Sequence, residues 1–173
     1  MPGTIPLNTE RLTLRRHIPE DAAVLHRDFG ADEAMFHYTG WNPYATPAQA
    51  EKAVAEFISR YGDPRFYGWA IQREGRLIGT IGAYDYDPEK NQIEIGYSIA
   101  RAHWGHGYAA EALRAALQYL TEEGGVARVT AWCAPENIAS RRTLEKAGFQ
   151  LKSQTLDRLD FIYESILSSA GAV

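Results

Sequence analysis

Leu12 and Leu14 alternate with polar neighbours over residues 9–17, the period-two pattern of a half-buried strand. Pro19 and Glu20 follow, and Asp21 reads as the N-cap of a short helix over 22–29. A second helix starts more sharply. Thr46 is a capping residue, Pro47 suits the first helical position, and Ala50, Val54, Phe57 and Ile58 recur at helical spacing until Gly62-Asp63-Pro64. Between the two helices lies an aromatic loop, Tyr38-Thr39-Gly40-Trp41-Asn42-Pro43-Tyr44. Residues 67–72 and 77–84 are apolar β-type runs joined by a Glu74-Gly75 turn, and residues 92–99 form a further strand. The glycines at 79 and 82 suggest a buried strand that something approaches closely.

The second half of the chain alternates differently. Residues 108–123 place Ala112, Leu113, Ala116, Leu117 and Leu120 on one helical face, with Glu111, Arg114, Gln118 and Glu122 opposite. Gly124-Gly125 stops that helix and a β-rich run covers 126–133. Asn137 caps a helix through 147, Gly148 takes the position after it, and Phe149 can pack back on Leu144. The tail, 150–167, offers one or two closing strands. An antiparallel meander followed by strand-helix-strand-helix-strand gives a mixed α/β fold. Neither an internal repeat nor a low-complexity stretch divides the chain, so residues 1–173 are expected to be one domain with its core in 9–163.

Composition narrows the class. The 173 residues are 45% apolar and 23% charged, with a formal net charge of −4, which is ordinary globular usage and lacks the basic excess of nucleic-acid binders. The single cysteine, Cys133, excludes an intrachain disulfide and suits a reducing, cytoplasmic setting. Neither a signal sequence nor a membrane span is expected. His103 and His106 lack companions at ligand spacing, so no metal site is expected.

The informative segment is Trp104-Gly105-His106-Gly107-Tyr108-Ala109, set between a strand and a long helix. A helix N-terminus carries unpaired N–H groups and about half a positive charge, and the glycines let successive N–H groups converge on an anion. Pyrophosphate is the natural guest, although a ligand-free turn would use the same residues. Gly105, Gly107 and Ala110 also fit a dinucleotide fingerprint. That reading is weaker, because residues 100–104 separate the glycines from the strand and no acid stands in 126–133.

With Glu94-Ile95-Gly96-Tyr97 before the loop, and Asn137-x-x-Ser140 and Leu144-Glu145-Lys146-Ala147-Gly148-Phe149 after it, the chain resembles the GNAT superfamily of N-acetyltransferases in its RimJ/RimL-like branch. The family's Arg/Gln-x-x-Gly-x-Gly/Ala motif falls on residues 104–109, matching at Gly107 and Ala109 and departing at Trp104, a departure frequent in this branch. The resemblance implies a mostly antiparallel twisted sheet flanked by about four helices, with strands 92–99 and 126–133 splayed around acetyl-CoA. It implies that the backbone near Ser98, Ile99 and Arg101 meets the pantetheine arm, with the Ile99 N–H facing the thioester oxygen. The loop Trp104, Gly105, His106, Gly107, Tyr108 and Ala109 would then hold the pyrophosphate, and Asn137 the pantetheine. Ser140 corresponds to a proton donor for the departing thiolate, and it too would lie against the cofactor.

Strand alternation puts Glu94 on one face with Gly96 and Ser98, making it the first candidate for general base, and Asp157 is a second. An exposed strand glutamate is the plain alternative. Tyr38, Trp41, Tyr84 and Tyr97 are candidates for the acceptor site, and the tyrosines for proton donation. Cys133 reads as a buried strand residue rather than a nucleophile. The implied reaction moves an acetyl group from acetyl-CoA to a primary amine, either a protein N-terminus or a small molecule. No nucleic-acid or membrane partner is expected, and there is room for a homodimer. A non-catalytic acyl-CoA-binding module and a nucleotide-binding enzyme are the alternatives.

Overall fold

The computed structural model describes residues 1–38 and 40–166. Eight strands form one sheet: β1 (Leu7–Asn8), β2 (Thr13–Arg15), β3 (Tyr67–Arg73), β4 (Arg76–Asp87), β5 (Gln92–Ile99), β6 (Arg128–Cys133), β7 (Gln150–Gln154) and β8 (Leu159–Glu164). Their order across the sheet is β1-β2-β3-β4-β5-β6-β8-β7, antiparallel everywhere except between β5 and β6. The helices are α1 (Asp21–Leu25), α2 (Pro47–Ser59), α3 (Tyr108–Glu122) and α4 (Ile138–Lys146).

Local chemistry accounts for most of these boundaries. The Gln49 N–H donates to Thr46 Oγ1 at 3.2 Å, and Pro47 opens α2 where no amide proton is needed. Glu74 and Gly75 both take positive φ (49° and 77°), the geometry of a tight hairpin turn between twisted strands. Beyond α4, Gly148 adopts φ 96° and the Phe149 N–H returns to the Leu144 carbonyl at 3.0 Å. The expected first strand is shorter than its apolar pattern. Thr9 turns the chain by accepting the Leu12 N–H on its hydroxyl, splitting the segment into β1 and β2. Asp21 is not an N-cap. Glu20 takes that place, and Asp21 is buried in the first turn of α1, which widens into a π-type turn over His26–Gly30. Of the expected tail, residue 167 lies outside the described residues, as does Thr39 of the aromatic loop.

The sheet separates two cores. On one face α3 lays Ala112, Leu113, Ala116, Leu117 and Leu120 against Ile93, Ile95, Val129 and Phe161. On the other, α1 and α2 bring Leu25, Phe29, Ala50 and Val54 onto Ala70 and Leu77. The central strands are therefore apolar on both faces, and function is confined to places where the layers come apart. No helix among the described residues is long and apolar enough to cross a membrane.

Candidate active site

The layers part first between β5 and β6. These strands pair only at Gln92–Glu94 with Arg128–Thr130, after which both continue without pairing to one another. A parallel pair that ends early leaves a slot lined by backbone groups. Which groups face it follows from the register with β4. The Ala100 N–H donates to the Ile78 carbonyl at 2.8 Å, and Ser98, Gly96 and Glu94 stand opposite Thr80, Gly82 and Tyr84. Alternation turns the backbone of these even-numbered residues toward β4 and that of Tyr97 and Ile99 toward the slot. Ser98 therefore contributes no backbone to the slot, contrary to the sequence reading; its side chain faces the opposite opening instead. The Ile99 carbonyl accepts the Trp104 indole N–H at 2.7 Å, leaving the Ile99 N–H as the strand's last donor toward the slot.

The glycine loop closes one end. Gly105 and Gly107 both have positive φ (79° and 78°), and Gly107 caps α3 with no side-chain hydrogen bond. The first i to i+4 bond of α3 runs from the Glu111 N–H to the Gly107 carbonyl, so the N–H groups of Tyr108, Ala109 and Ala110 precede the helical ladder. A Cβ on Gly105 would meet nothing within 4 Å, so the loop is open on that side. These features fit a pyrophosphate, and the slot beside them fits an extended amide-bearing arm.

Arg11 was not singled out from the sequence, yet it braces this loop. Its guanidinium donates to the His106 carbonyl (2.9 Å) and to Glu111 (2.7 Å), and it lies 4.6 Å over the Tyr108 ring. Glu111 also accepts the Arg11 N–H and the Thr9 hydroxyl; burial raises its carboxyl pKa, but these bonds hold it below the usual value. Arg73 approaches the same ring from 5.4 Å. No local motif signals Arg11, because its partners stand about a hundred residues downstream. The Tyr108 side chain is itself buried, so it offers an anion only its N–H. The side chain of Arg101 pairs with Asp32 at 2.6 Å and lies over the Trp104 ring, fixing the strand-to-loop bend rather than reaching along the slot.

On the other wall, Asn137 caps α4 by accepting the Ser140 N–H at 3.2 Å. Ser140 Oγ lies 3.0 Å from the Tyr97 hydroxyl. Burial, and then Cys133 nearby, push the Tyr97 phenol up to about 12, so it stays protonated. Burial likewise raises the Cys133 thiol, which keeps it a poor nucleophile.

The layers part a second time between α2 and the sheet. A cavity of about 370 Å³ lies there, with Gly82, Gly96 and Ser98 on its floor and Trp41, Tyr44, Phe57 and Tyr84 among its walls. Of the expected acceptor residues Trp41, Tyr84 and Tyr97 border it. Tyr38 does not; its hydroxyl reaches the Glu136 carbonyl at 3.5 Å, tying the aromatic loop to the start of α4. The Tyr84 hydroxyl lies 2.9 Å from where a Cβ on Gly96 would stand. Burial, and then the charges of Glu94 and Asp85, push that phenol up to about 12. Glu94 stands opposite Tyr84 but borders a different opening, a polar cavity of about 230 Å³ that also touches Thr130, Lys152, Arg158 and Asp160. Asp157 is exposed in the β7–β8 turn and borders neither cavity.

The slot and the larger cavity thus meet at the end of β5, the one suited to an extended anionic molecule and the other to a compact apolar one, with the polar cavity beside Glu94 further along the strand. Comparison with known proteins places the chain in a family. Residues 11–150 match the acetyltransferase (GNAT) domain family. The chain is 34% identical over 146 residues to the uncharacterized N-acetyltransferase YoaA of Bacillus subtilis, covering 83% of this chain and 82% of that one. It is 26% identical over 163 residues to the [ribosomal protein uS5]-alanine N-acetyltransferase of Escherichia coli, covering 90% and 83%. Mycobacterium smegmatis RimJ, solved in complex with CoA-disulfide, superposes with a TM-score of 0.79 at 20% identity over 89% of this chain and 82% of that one. The chain belongs to the GNAT acetyltransferase family.

Proposed function

We propose that the protein transfers the acetyl group of acetyl-CoA directly to a primary amine. The observation that carries this reading is the meeting of two openings at one stretch of β5. Tyr97 and Ile99 turn their backbone to the slot, while Gly96 and Ser98 floor the cavity on the other side. A thioester in the slot and an amine in the cavity would approach each other there, and positioning of this kind supplies much of the rate of a bimolecular reaction. The CoA-disulfide complex of the structural neighbour supports the choice of cofactor.

Acetyl-CoA supplies an acyl group already activated as a thioester. The N–H groups at the start of α3 and the bend at Gly105 and Gly107 receive its pyrophosphate, and Asn137 and the backbone of Tyr97 its pantetheine arm. The Ile99 N–H faces the carbonyl oxygen on which negative charge develops; one such donor is commonly worth roughly 3 kcal/mol in the transition state. The nitrogen must be neutral to attack. Glu94, on the same strand face as Gly96 and across from Tyr84, receives the ammonium proton through Tyr84 or water and passes it to the polar cavity beyond. As the C–S bond breaks, the Tyr97–Ser140 pair donates a hydrogen bond to the thiolate. A phenol near 12 does not hand its proton outright to an alkyl thiolate, which is the weaker base of the two. The pair therefore acts by hydrogen bonding, and the thiol's proton arrives from the water that drains the amine. The lone cysteine suits a cytoplasmic setting for this chemistry.

Thiol release from acetyl-CoA in the presence of a panel of primary amines and peptides tests the proposal. Amine-dependent release, with the acetylated product identified by mass spectrometry, supports it. Tight acetyl-CoA binding with no acetylation of any amine, peptide or protein overturns it.

A further inference from the structure

Arg101 follows the end of β5, and its side chain ties the cofactor side of that strand to the acceptor side. The guanidinium donates to Asp32 Oδ1 at 2.6 Å and lies 5.6 Å over the Trp104 ring. Trp104 in turn donates its indole N–H to the Ile99 carbonyl at 2.7 Å, on the strand that borders the slot. Asp32 Oδ1 also accepts the Ala34 N–H at 3.1 Å, and so caps the short 3-10 helix Glu33–Phe36. Phe36 ends that helix and meets Tyr44 edge-on, with ring centroids 5.9 Å apart; both line the larger cavity. A continuous set of contacts through Ile99, Trp104, Arg101, Asp32 and Phe36 thus runs from the slot to a wall of the cavity. Two residues beyond Phe36, the Tyr38 hydroxyl reaches the carbonyl of Glu136, which stands between β6 and α4. Residues 32–38 are therefore anchored on both sides of the slot, once just after β5 and once just after β6.

Building on the acetyl-transfer reading, we infer that Arg101 is a positioning residue for the acceptor. Through Asp32 it makes the shape of the acceptor cavity depend on what fills the slot. Strands β5 and β6 are unpaired beyond Glu94 and Thr130, so a molecule whose amides pair with β5 fixes the strand end that carries Ile99. A four-residue 3-10 helix has too few internal bonds to hold itself, so its cap and the ion pair at that cap decide whether it forms. The cavity floor is a row of glycines, Gly68, Gly82 and Gly96, one each on β3, β4 and β5. A floor without side chains leaves the shape to walls such as Phe36 and Tyr44. With the slot filled, Ile99 and Trp104 are held, Arg101 holds Asp32, and Phe36 stands at the cavity. The coupling is reciprocal: an acceptor resting on Phe36 tightens acetyl-CoA by the factor by which acetyl-CoA tightens the acceptor. Arg101 is about half exposed, so the pair transmits a modest effect, about fivefold.

Amide hydrogen exchange read by mass spectrometry, with coenzyme A as the probe, tests the coupling without any acceptor. In the wild type, saturating CoA is expected to slow exchange about fivefold in residues 32–38 as well as in residues 99–109. In Arg101→Ala and in Asp32→Asn, which keeps the cap but not the charge, CoA should still protect 99–109 and bind with a Kd within about twofold of the wild type, while its protection of 32–38 is lost. Arg101→Lys keeps the charge and should recover part of that protection. Protection confined to 99–109 in the wild type, or retained at 32–38 in Arg101→Ala, would overturn the inference and leave CoA binding intact. A tenfold weaker Kd for CoA in Arg101→Ala would make Arg101 a cofactor ligand and overturn it as well. Wild-type protein that does not bind CoA would remove the acetyl-transfer reading along with the inference. A second arm uses turnover with the amine that releases most thiol in the panel above. Arg101→Ala is expected to raise the KM for that amine about fivefold with the KM for acetyl-CoA unchanged. An unaltered amine KM would overturn the assignment.

Discussion

The Tyr97 hydroxyl and Ser140 Oγ lie 3.0 Å apart, joining β5 to the first turn of α4. Neither hydroxyl is a strong acid, and each fixes where the other points. Tyr97→Phe and Ser140→Ala are each expected to lower kcat about tenfold while the Kd for CoA changes little. The double variant should cost no more than the worse single one, since both remove the same hydrogen bond. Additive losses in single-turnover kinetics would show that the two act separately.

Arg11 touches both the glycine loop and Glu111, so its removal loosens the loop as well as removing a positive charge. Arg11→Ala is expected to weaken CoA binding about tenfold, or roughly 1.4 kcal/mol. Glu111→Gln keeps the arginine charge but disturbs its brace, and should weaken CoA by a smaller factor. Calorimetric titration of both variants checks this. An unchanged affinity in Arg11→Ala would leave the loop held by α3 alone.

Gly107→Val tests the same loop by a different route. The space beside Gly107 is nearly free, because a Cβ there would come no closer than 3.6 Å to Arg11. The cost lies in the backbone: a β-branched residue at φ 78° is strained by roughly 1–3 kcal/mol. We expect CoA affinity to fall tenfold or more as the first turn of α3 shifts. Affinity equal to the wild type would remove the loop from the binding site.

Glu94 shares a strand face with the cavity floor and stands beside a polar opening. Glu94→Gln should lower the rate at neutral pH by roughly 10²-fold, within the usual range for a general base, with CoA affinity near normal. The loss should shrink as pH rises and more of the amine arrives neutral. A pH–rate profile identical to the wild type would exclude Glu94 from the mechanism.

Asp21 governs acid stability. Burial alone would raise its carboxyl pKa, but hydrogen bonds from Arg15 and the Ile18 N–H, with His17 Nδ1 3.3 Å away, hold it well below the usual carboxylate range. A depressed folded-state value stabilises the protein above the unfolded carboxylate's pKa, and the stabilisation is lost as pH falls through the folded one. The urea midpoint of the wild type should therefore fall steadily below about pH 4. Asp21→Asn should cost about 3 kcal/mol at pH 7, because it leaves Arg15 half-buried without its partner, and the difference should narrow in acid.

The elements that local chemistry controls were legible in the chain. Thr46-Pro47 begins α2, Asn137 and Gly148 bound α4, and the apolar face of α3 is the buried one. The glycine loop was legible for the same reason, since a positive φ and an open helix N-terminus are properties of a few consecutive residues. Asp21 misled because a capping residue and a buried ion-pair partner look alike until Arg15 is placed beside it. Arg11 carried no signal, because Glu111 and the His106 carbonyl meet it only through the packing of α3 on the N-terminal segment. The Ser98 backbone role follows from the family resemblance and the Tyr38 role from its aromatic loop, whereas strand register decides which backbone faces the slot and the fold decides where a loop aromatic reaches. The row Gly68, Gly82 and Gly96 belongs to three strands, and pairing register alone brings it into line. The sequence by itself determined the ends of α2 and α4, the buried face of α3 and the positive-φ glycine loop, all set by neighbours within a few residues. The tertiary structure decided the slot, the brace on the loop and the shape of the acceptor cavity, because each depends on which distant strands lie side by side and where their pairing stops.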